Sequence, residues 1–427
     1  MSVPADQSRV ATASESSAKR GRSAAILVVL ASLAMAGLGI PDGLQGVAWP
    51  SMSGHFGVSL SSLGVLLAAQ MSGYVFGSAI TGRLLRLLNP GTSAATGTAT
   101  MALSLLGFAL APAWWLLLLS ALTLGMGAGA VDGALNVYAA LKFSARSTNW
   151  MHAFYGTGAI AGPTIMTAIL VSGRSWQVGY SIGAAIVAMI TITIGISHGM
   201  WGLADGDAKS DGIGSDVPSR QTLRLAAAWL GILAFVVYTG IEVTVGQWTF
   251  TVLTRGREVA TGTAGTWVAV YYLCLAVGRL GLGSLATFIP SRTLLWIAMT
   301  AALFGTVLFW TTPTPWVGLA GIAVMGLSFG PIFPLLISTT PARVGKDHTP
   351  NLIGFQIAAA GIGAGLLPGM IGWIAVERDL DLVGLALLVG TAILMVLHAV
   401  IGIQRGSQPR FPPSRHHPCS KVGRASR

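Results

Sequence analysis

The sequence predicts an all-α polytopic membrane protein with twelve transmembrane helices in two six-helix bundles. Three observations predict it. First, hydrophobic residues make up 53% of the 427 positions and charged residues 9%, with a mean hydropathy of +0.71, whereas soluble domains carry roughly 25% charged residues. Second, the chain divides into roughly twelve apolar runs of the ~20 residues that a membrane helix requires. Third, the basic residues alternate from loop to loop. Of the 25 Lys and Arg, 21 fall in the two tails and the even-numbered connections, and only Arg174, Arg255, Arg257 and Arg378 fall on the other side. The positive-inside rule then places both termini in the cytoplasm and independently supports an even number of helices.

The elements follow in order. A polar tail rich in Ser and Ala (1–23) carries Arg9, Lys19, Arg20 and Arg22. The first run, 24–48, is too long for the apolar core of a signal peptide and has no clear cleavage site, so it reads as a retained helix. Polar, Pro and Gly breaks separate the next runs at 60–86, 94–111, 114–141, 149–171 and 179–200, which complete a bundle over 24–200. The longest polar interruption, GLADGDAKSDGIGSDVPSRQ at 202–221, holds four aspartates and marks a cytoplasmic linker over 201–224. The second bundle, 225–404, contains runs at 225–253, 262–288, 293–312, 315–340, 350–376 and 380–404. A basic cytoplasmic tail (405–427) closes the chain.

The halves echo each other. The first helix reads GIPDGLQGVAW and the seventh GIEVTVGQW, each with a carboxylate shortly after Gly-Ile and a Trp six or seven residues later. The second helix ends in Gly82-Arg83 and the eighth carries Gly278-Arg279. Two six-helix repeats of the same orientation are a transporter architecture. The 56 glycines suit close helix packing. Gly125, Gly129 and Gly133 form a small-xxx-small packing stripe, as do Gly73 with Gly77, Gly158 with Gly162, and Gly361 with Gly365 and Gly369.

Several function classes are excluded or disfavoured. The net charge of +11 is a matter of topology, without the basic stripe and interleaved aromatics of a nucleic-acid binder. Cys274 and Cys419 are too far apart for a disulfide framework or a metal site, and no cofactor is implied. GLSFG at 326–330 matches a nucleophile-elbow string but lacks its strand–turn–helix context. The chain is therefore not expected to be an enzyme.

Only three of the fourteen carboxylates fall inside long apolar runs: Asp42, Asp132 and Glu242. A charge at the bilayer centre costs about 2.5–3.5 kcal/mol on insertion scales, so such acids are functional-site candidates. On the first helix Asp42, Gln45 and Trp49 share a face by i, i+3, i+7 spacing, and Pro41 can open the local hydrogen-bond ladder. On the fourth, Asp132 and Asn136 stand one turn apart. On the seventh, Tyr238, Glu242 and Thr249 align, with Gln247 and Trp248 nearby. Aromatic faces, amides and a carboxylate would line a cavity for a polar solute, although each acid could instead pair with a polar group to hold helices together. Glu242 is the weakest of the three, since it could stand near the outer half in contact with water. His152, near the cytoplasmic start of the fifth helix, is a possible proton relay or an interfacial cap. Gln70 and Gln356 could bind solute or bridge helices.

The chain resembles the major facilitator superfamily over its whole apolar length, and more narrowly the branch of the fucose permeases, which are sugar–proton symporters. PDGLQGVAWPSM (41–52), LGVLLAAQMSGYVFGSAITGRLL (63–85), GAGAVDGALNVYAALKFSARSTNWMHAFYGTGAIAGP (127–163), YTGIEVTVGQW (238–248) and GPIFPLLIS (330–338) carry the resemblance. It implies a cavity lined by the first, fourth, seventh and tenth helices, with a first-helix aspartate and a fourth-helix carboxylate serving sugar recognition and protonation; Asp42 and Asp132 occupy those places. The fourth-helix acid of that type is a Glu, one methylene longer than Asp132, a departure that bears on which sugar fits. The cytoplasmic Gly82-Arg83-Leu84-Leu85-Arg86 keeps basic residues without the superfamily's Asp, and Thr287-Phe288 stand where an acid would in the second half, so the gating charge network is expected to be weaker or differently wired.

The resulting expectation is proton-coupled uptake of a sugar or similar small polar solute by alternating access, in a monomer of the cell's inner membrane. Asp132 would carry the proton, and Asp42 would be shared between proton and solute. Gln45, Trp49, Asn136, Glu242, Gln247 and Gln356 would contact the solute. A carboxylate in a dry cavity can take a proton near neutral pH, and one charge moving through ~100 mV gains ~2.3 kcal/mol. The alternatives are a proton-driven antiporter exporting a drug or metabolite, and a non-transporting membrane sensor.

Overall fold

The computed structural model of the chain describes residues 5–202, 217–282, 285, 288–311 and 314–406. The middle of the linker (203–216), the tail from 407 onward with Cys419, and Thr287 lie outside the described residues. Among the described residues, twelve helices are long and apolar enough to cross a membrane. They are α1 (Ala25–Phe56), α2 (Leu60–Leu87), α3 (Pro90–Leu110), α4 (Trp114–Lys142), α5 (Arg146–Val171), α6 (Trp176–Ile196), α7 (Ala226–Gly256), α8 (Thr261–Gly281), α9 (Ser291–Thr311), α10 (Trp316–Ser338), α11 (Thr349–Arg378) and α12 (Leu382–Ile401). An even number of crossings puts both termini on one face. Backbone helix continues N-terminally from α1 to Ala5.

The expected spans agree with these to within a few residues, except at two ends. The first run was expected to stop at 48, before Pro50, yet α1 continues to Phe56. A proline removes one main-chain donor, at Pro50 the one that would reach the Gly46 carbonyl, and membrane helices tolerate such a loss; α1 runs through it. The eighth run was expected to reach 288 but ends near Gly281, after a π-helical turn over Gly278–Leu282.

Glycine stripes decide which helices pair. A Cβ at Gly73 would meet the Leu122 carbonyl, one at Gly125 the Gln70 carbonyl, and one at Gly129 the Tyr74 carbonyl, so α2 and α4 approach backbone to backbone. Gly158 and Gly162 of α5 bear in the same way on the Ala36 and Ile40 carbonyls of α1, and Gly363 of α11 on the Val236 carbonyl of α7. With little hydrophobic drive between helices in lipid, such close van der Waals contact is what holds them. Within the first half the stripes join α1 to α5 and α2 to α4.

The halves meet along α1–α7, α2–α11 and α5–α8. On the side away from the termini the seam is tight: a Cβ on Gly46 would strike Gly246 and Gln247, and Gly64 abuts Gly369. Nearby, Trp49 Nε1 donates to the Leu60 carbonyl (2.8 Å) and Trp248 Nε1 to the Pro368 carbonyl (2.9 Å). At the same end Arg257 Nε pairs with Asp381 (2.9 Å), its guanidinium lying over the Phe309 ring.

Candidate functional site

On the side nearer the termini the halves separate around a cavity of about 350 Å³, within the ~300–1,000 Å³ range of small-molecule sites. Asp42, Asp132, Glu242 and His152 all line it, together with Gln70, Tyr74, Tyr155 and Arg279. The three intramembrane acids therefore share one space, and Glu242 stands in the cavity rather than at the outer surface.

Each acid has specific partners. Tyr74 Oη of α2 donates to Asp132 Oδ2 (2.7 Å), and Asn136 Nδ2 donates to Asp132 Oδ1 (3.0 Å) and to the Asp132 carbonyl (2.9 Å). Tyr155 Oη of α5 donates to Asp42 Oδ2, and Gln70 Nε2 of α2 to Asp42 Oδ1 (3.4 Å). Gln70 and Tyr74 are one helical turn apart, so α2 holds both acids from the same face. The glycine stripes make this possible: Gly125 and Gly129 bring α4 against the backbone of Gln70 and Tyr74, while a Cβ at Gly39 of α1 would meet the Tyr155 carbonyl.

Glu242 is wired differently. Arg279 Nη2 pairs with its Oε1 (3.1 Å). Tyr271 Oη donates to the Glu242 carbonyl (2.8 Å). Arg279 belongs to the π-helical turn that ends α8, a distortion that often accompanies function. Its Nε also donates to the Gly330 carbonyl (3.4 Å). That acceptor is free for a covalent reason: Pro334, four residues on, has no N–H to offer it. Gly330-Pro331 divides α10 into Pro315–Phe329 and Ile332–Ser338, and Tyr238 Oη donates to the Phe329 carbonyl at the same break (2.8 Å). One guanidinium thus spans a cavity carboxylate and the broken helix.

The other expected solute contacts stand elsewhere. Gln45, Trp49 and Gln356 are buried outside the cavity lining. Trp49 packs on Trp114 and uses its indole N–H on the main chain; a buried indole needs such an acceptor, which explains its position. Gln356 accepts from Thr340 Oγ1 (3.0 Å), which lies just beyond the end of α10. Asn136 reaches the site only through Asp132. Gln247 crosses the seam, its Nε2 donating to the Asp42 carbonyl (3.1 Å). No sequence pattern marks Tyr74 or Tyr155 as a site residue, and Arg279 stands out only as part of the Gly278-Arg279 repeat. Among the described residues no cluster of His, Cys, Asp and Glu could hold a metal ion.

Comparison with known proteins agrees with this architecture. A family model described as the Major Facilitator Superfamily matches residues 25–262. The glucose/mannose transporter GlcP of Bacillus subtilis (strain 168) is 20% identical over 361 residues, covering 81% of this chain and 87% of GlcP. Among solved structures, FucP in the outward conformation superposes with a TM-score of 0.61 at 17% identity, over 89% of this chain and 99% of that one; another structure of FucP describes it as the fucose:proton symporter of E. coli. The nucleoside transporter NupG superposes with a TM-score of 0.74 at 13% identity, over 87% and 98%. At these identities the structures speak for the fold.

Proposed function

This chain belongs to the Major Facilitator Superfamily, and from that premise we propose that it takes up a sugar or similar small polar solute coupled to protons, by alternating access. It is an integral membrane transporter with its cavity between two six-helix halves. The observation that carries the reading is the pair of carboxylates, Asp42 and Asp132, facing one cavity and linked through Gln70 and Tyr74 of a single helix. In this reading Asp132 carries the proton and Asp42 answers to both proton and solute. Neutralising the acids removes the cost of moving their charge within the membrane, so the halves can rock with the solute bound. Proton release on the cytoplasmic side then weakens solute binding. His152 exchanges protons with that side, and Glu242, held by Arg279, contacts the solute. Support for a sugar comes from the likeness to GlcP and FucP, whose names give glucose, mannose and fucose as their solutes. The working form is a monomer in the inner membrane with both termini in the cytoplasm.

The test is solute-induced alkalinisation of the medium around proteoliposomes, with a panel of monosaccharides. Asp132→Asn should abolish proton-driven accumulation while leaving solute counterflow. Intact accumulation in that variant would remove Asp132 from its role. Solute-induced acidification would favour the exporting antiporter.

A further inference from the structure

The contact between α2 and α11 loosens turn by turn toward the face of the termini. A Cβ on Gly369 would stand 2.7 Å from the Gly64 backbone, one on Gly365 3.1 Å from the Met71 side chain, and one on Gly361 3.9 Å from Val75. At Gly354, two turns further, it would meet nothing within 4 Å. The α5–α8 seam does not part in this way. There a Cβ on Gly156 would stand 2.9 Å from Ala276, and His152, Tyr155 and Arg279 close round a crevice of only about 20 Å³. The α2–α11 flank therefore carries a wedge-shaped slot. Its lips, Val75 and Ile357, are apolar, 48% and 50% exposed, and both lie within membrane spans. From Val75 the same exposed face of α2 continues through Ala79 to Arg83 and Arg86. Neither arginine has an ion-pair partner among the described residues; they belong to the Gly82–Arg86 motif that lacks an acid, and they take no part in lining the cavity. The eight residues from Val75 to Arg83 rise about 12 Å, close to the ~15 Å of hydrocarbon in one leaflet.

We propose that this slot is a binding site for an anionic phospholipid of the leaflet on the side of the termini. One acyl chain lies in the wedge between Val75 and Ile357, and the phosphate is held by Arg83 and Arg86. An apolar slot at this depth faces hydrocarbon, so a lipid chain is the occupant at hand. The two unpaired guanidinium groups at its mouth select the headgroup, since arginine binds phosphate through charge-assisted hydrogen bonds and basic residues at the ends of membrane helices attract anionic lipids. A zwitterionic choline headgroup would bring its own cation against them. Drawing the halves together on this side narrows the wedge, so the chain fits the form open toward the termini and biases the protein toward it. The site is distinct in chemistry from the acid-lined cavity and does not depend on which solute is carried.

The experiment is lipid quenching in nanodiscs of phosphatidylcholine, on the full-length chain with Cys274 and Cys419 replaced by Ser. A bimane label is placed at Val75→Cys or, as a control on the lipid-facing side of α6, at Ile192→Cys, which is 60% exposed in the native chain. Brominated phosphatidylglycerol or brominated phosphatidylcholine is then titrated in. At position 75, half-maximal quenching should need about tenfold less of the glycerol lipid, the preference expected of two basic side chains at a membrane surface. At position 192 the two lipids should agree within twofold. Arg83→Gln with Arg86→Gln should bring the ratio at 75 to within twofold, while Arg83→Lys with Arg86→Lys, which keeps the charge, should retain most of it. Gly361→Leu, which fills the wedge, should reduce quenching at 75 by both lipids. A ratio near one at 75 would overturn the proposal, as would an equal preference at 192 or one that survives the double Gln change. Unaltered quenching in Gly361→Leu would place the chain outside the wedge and overturn it as well. None of these outcomes bears on the proton-coupled reading, which the alkalinisation assay tests separately.

Discussion

Asp42 and Asp132 each accept from one tyrosine hydroxyl and one side-chain amide. Tyr155→Phe and Tyr74→Phe keep the ring and delete the donor. Each should reduce proton-coupled uptake about tenfold while the melting temperature stays within a few degrees, because a typical hydrogen bond contributes about 0.5–1.5 kcal/mol. Uptake assays and thermal denaturation on the same preparations check this, and unchanged uptake would show that the tyrosines only pack. Arg279→Met strands the mostly buried Glu242 and the Gly330 carbonyl, so it should destabilise the protein more than Arg279→Met combined with Glu242→Gln, measured by thermal denaturation. The acids were legible in the sequence because a carboxylate in an apolar run is an energetic exception. Tyr74 and Tyr155 were not, since a tyrosine in such a run reads the same whether its hydroxyl meets an acid 58 residues away or nothing at all. Gln45 and Gln356 lie outside the cavity lining, because helical spacing gives the face of an amide along its own helix but not which neighbour that face meets.

At the scale of the elements, lipid makes helices easy to read. Every main-chain polar group must be satisfied within its own segment, so length and hydropathy suffice to find each span. What they do not disclose is irregularity that a remote partner compensates. The π-helical turn at Gly278–Leu282 and the break at Gly330-Pro331 meet through Arg279, and neither is marked by a run of polar residues. The glycine stripes were legible as packing faces, though not with their partners. They make a sharp prediction. Gly158→Ala would drive a Cβ into the Ala36 carbonyl, while Gly82→Ala meets nothing within 4 Å. The first should cost about 1–3 kcal/mol as overpacking, and the second should be neutral or slightly stabilising through helix propensity. Thermal denaturation of the two variants separates them, and equal melting temperatures would mean that α1 and α5 are not held by this contact.

For the whole molecule, the tight seam on one side and the cavity on the other describe a transporter open toward the face of its termini. With Cys274 and Cys419 replaced by Ser, a cysteine at Ile357, which lines the cavity, should react with a membrane-impermeant thiol reagent only from the cytoplasmic face. A cysteine at Thr249, 1% exposed, should react from neither face until solute and protons are supplied. Labelling of Ile357→Cys from the outside alone would reverse the orientation. Two transporter halves in one chain were foreseeable from the repeat; the direction in which they open was not, because it is decided by contacts such as Gly46 with Gly246 that join distant segments. The bond from Gln247 to residue 42 ends on the main chain, not on the carboxylate. Every substitution at 42 other than one that displaces the helix therefore leaves the joint between the halves in place. Loss-of-function alleles at 42 should be chemical, and those at 247 mechanical. In a suppressor screen the second class should be rescued by changes along α1 and α7 that restore closure, while the first should be rescued only by a new acid reaching the same cavity.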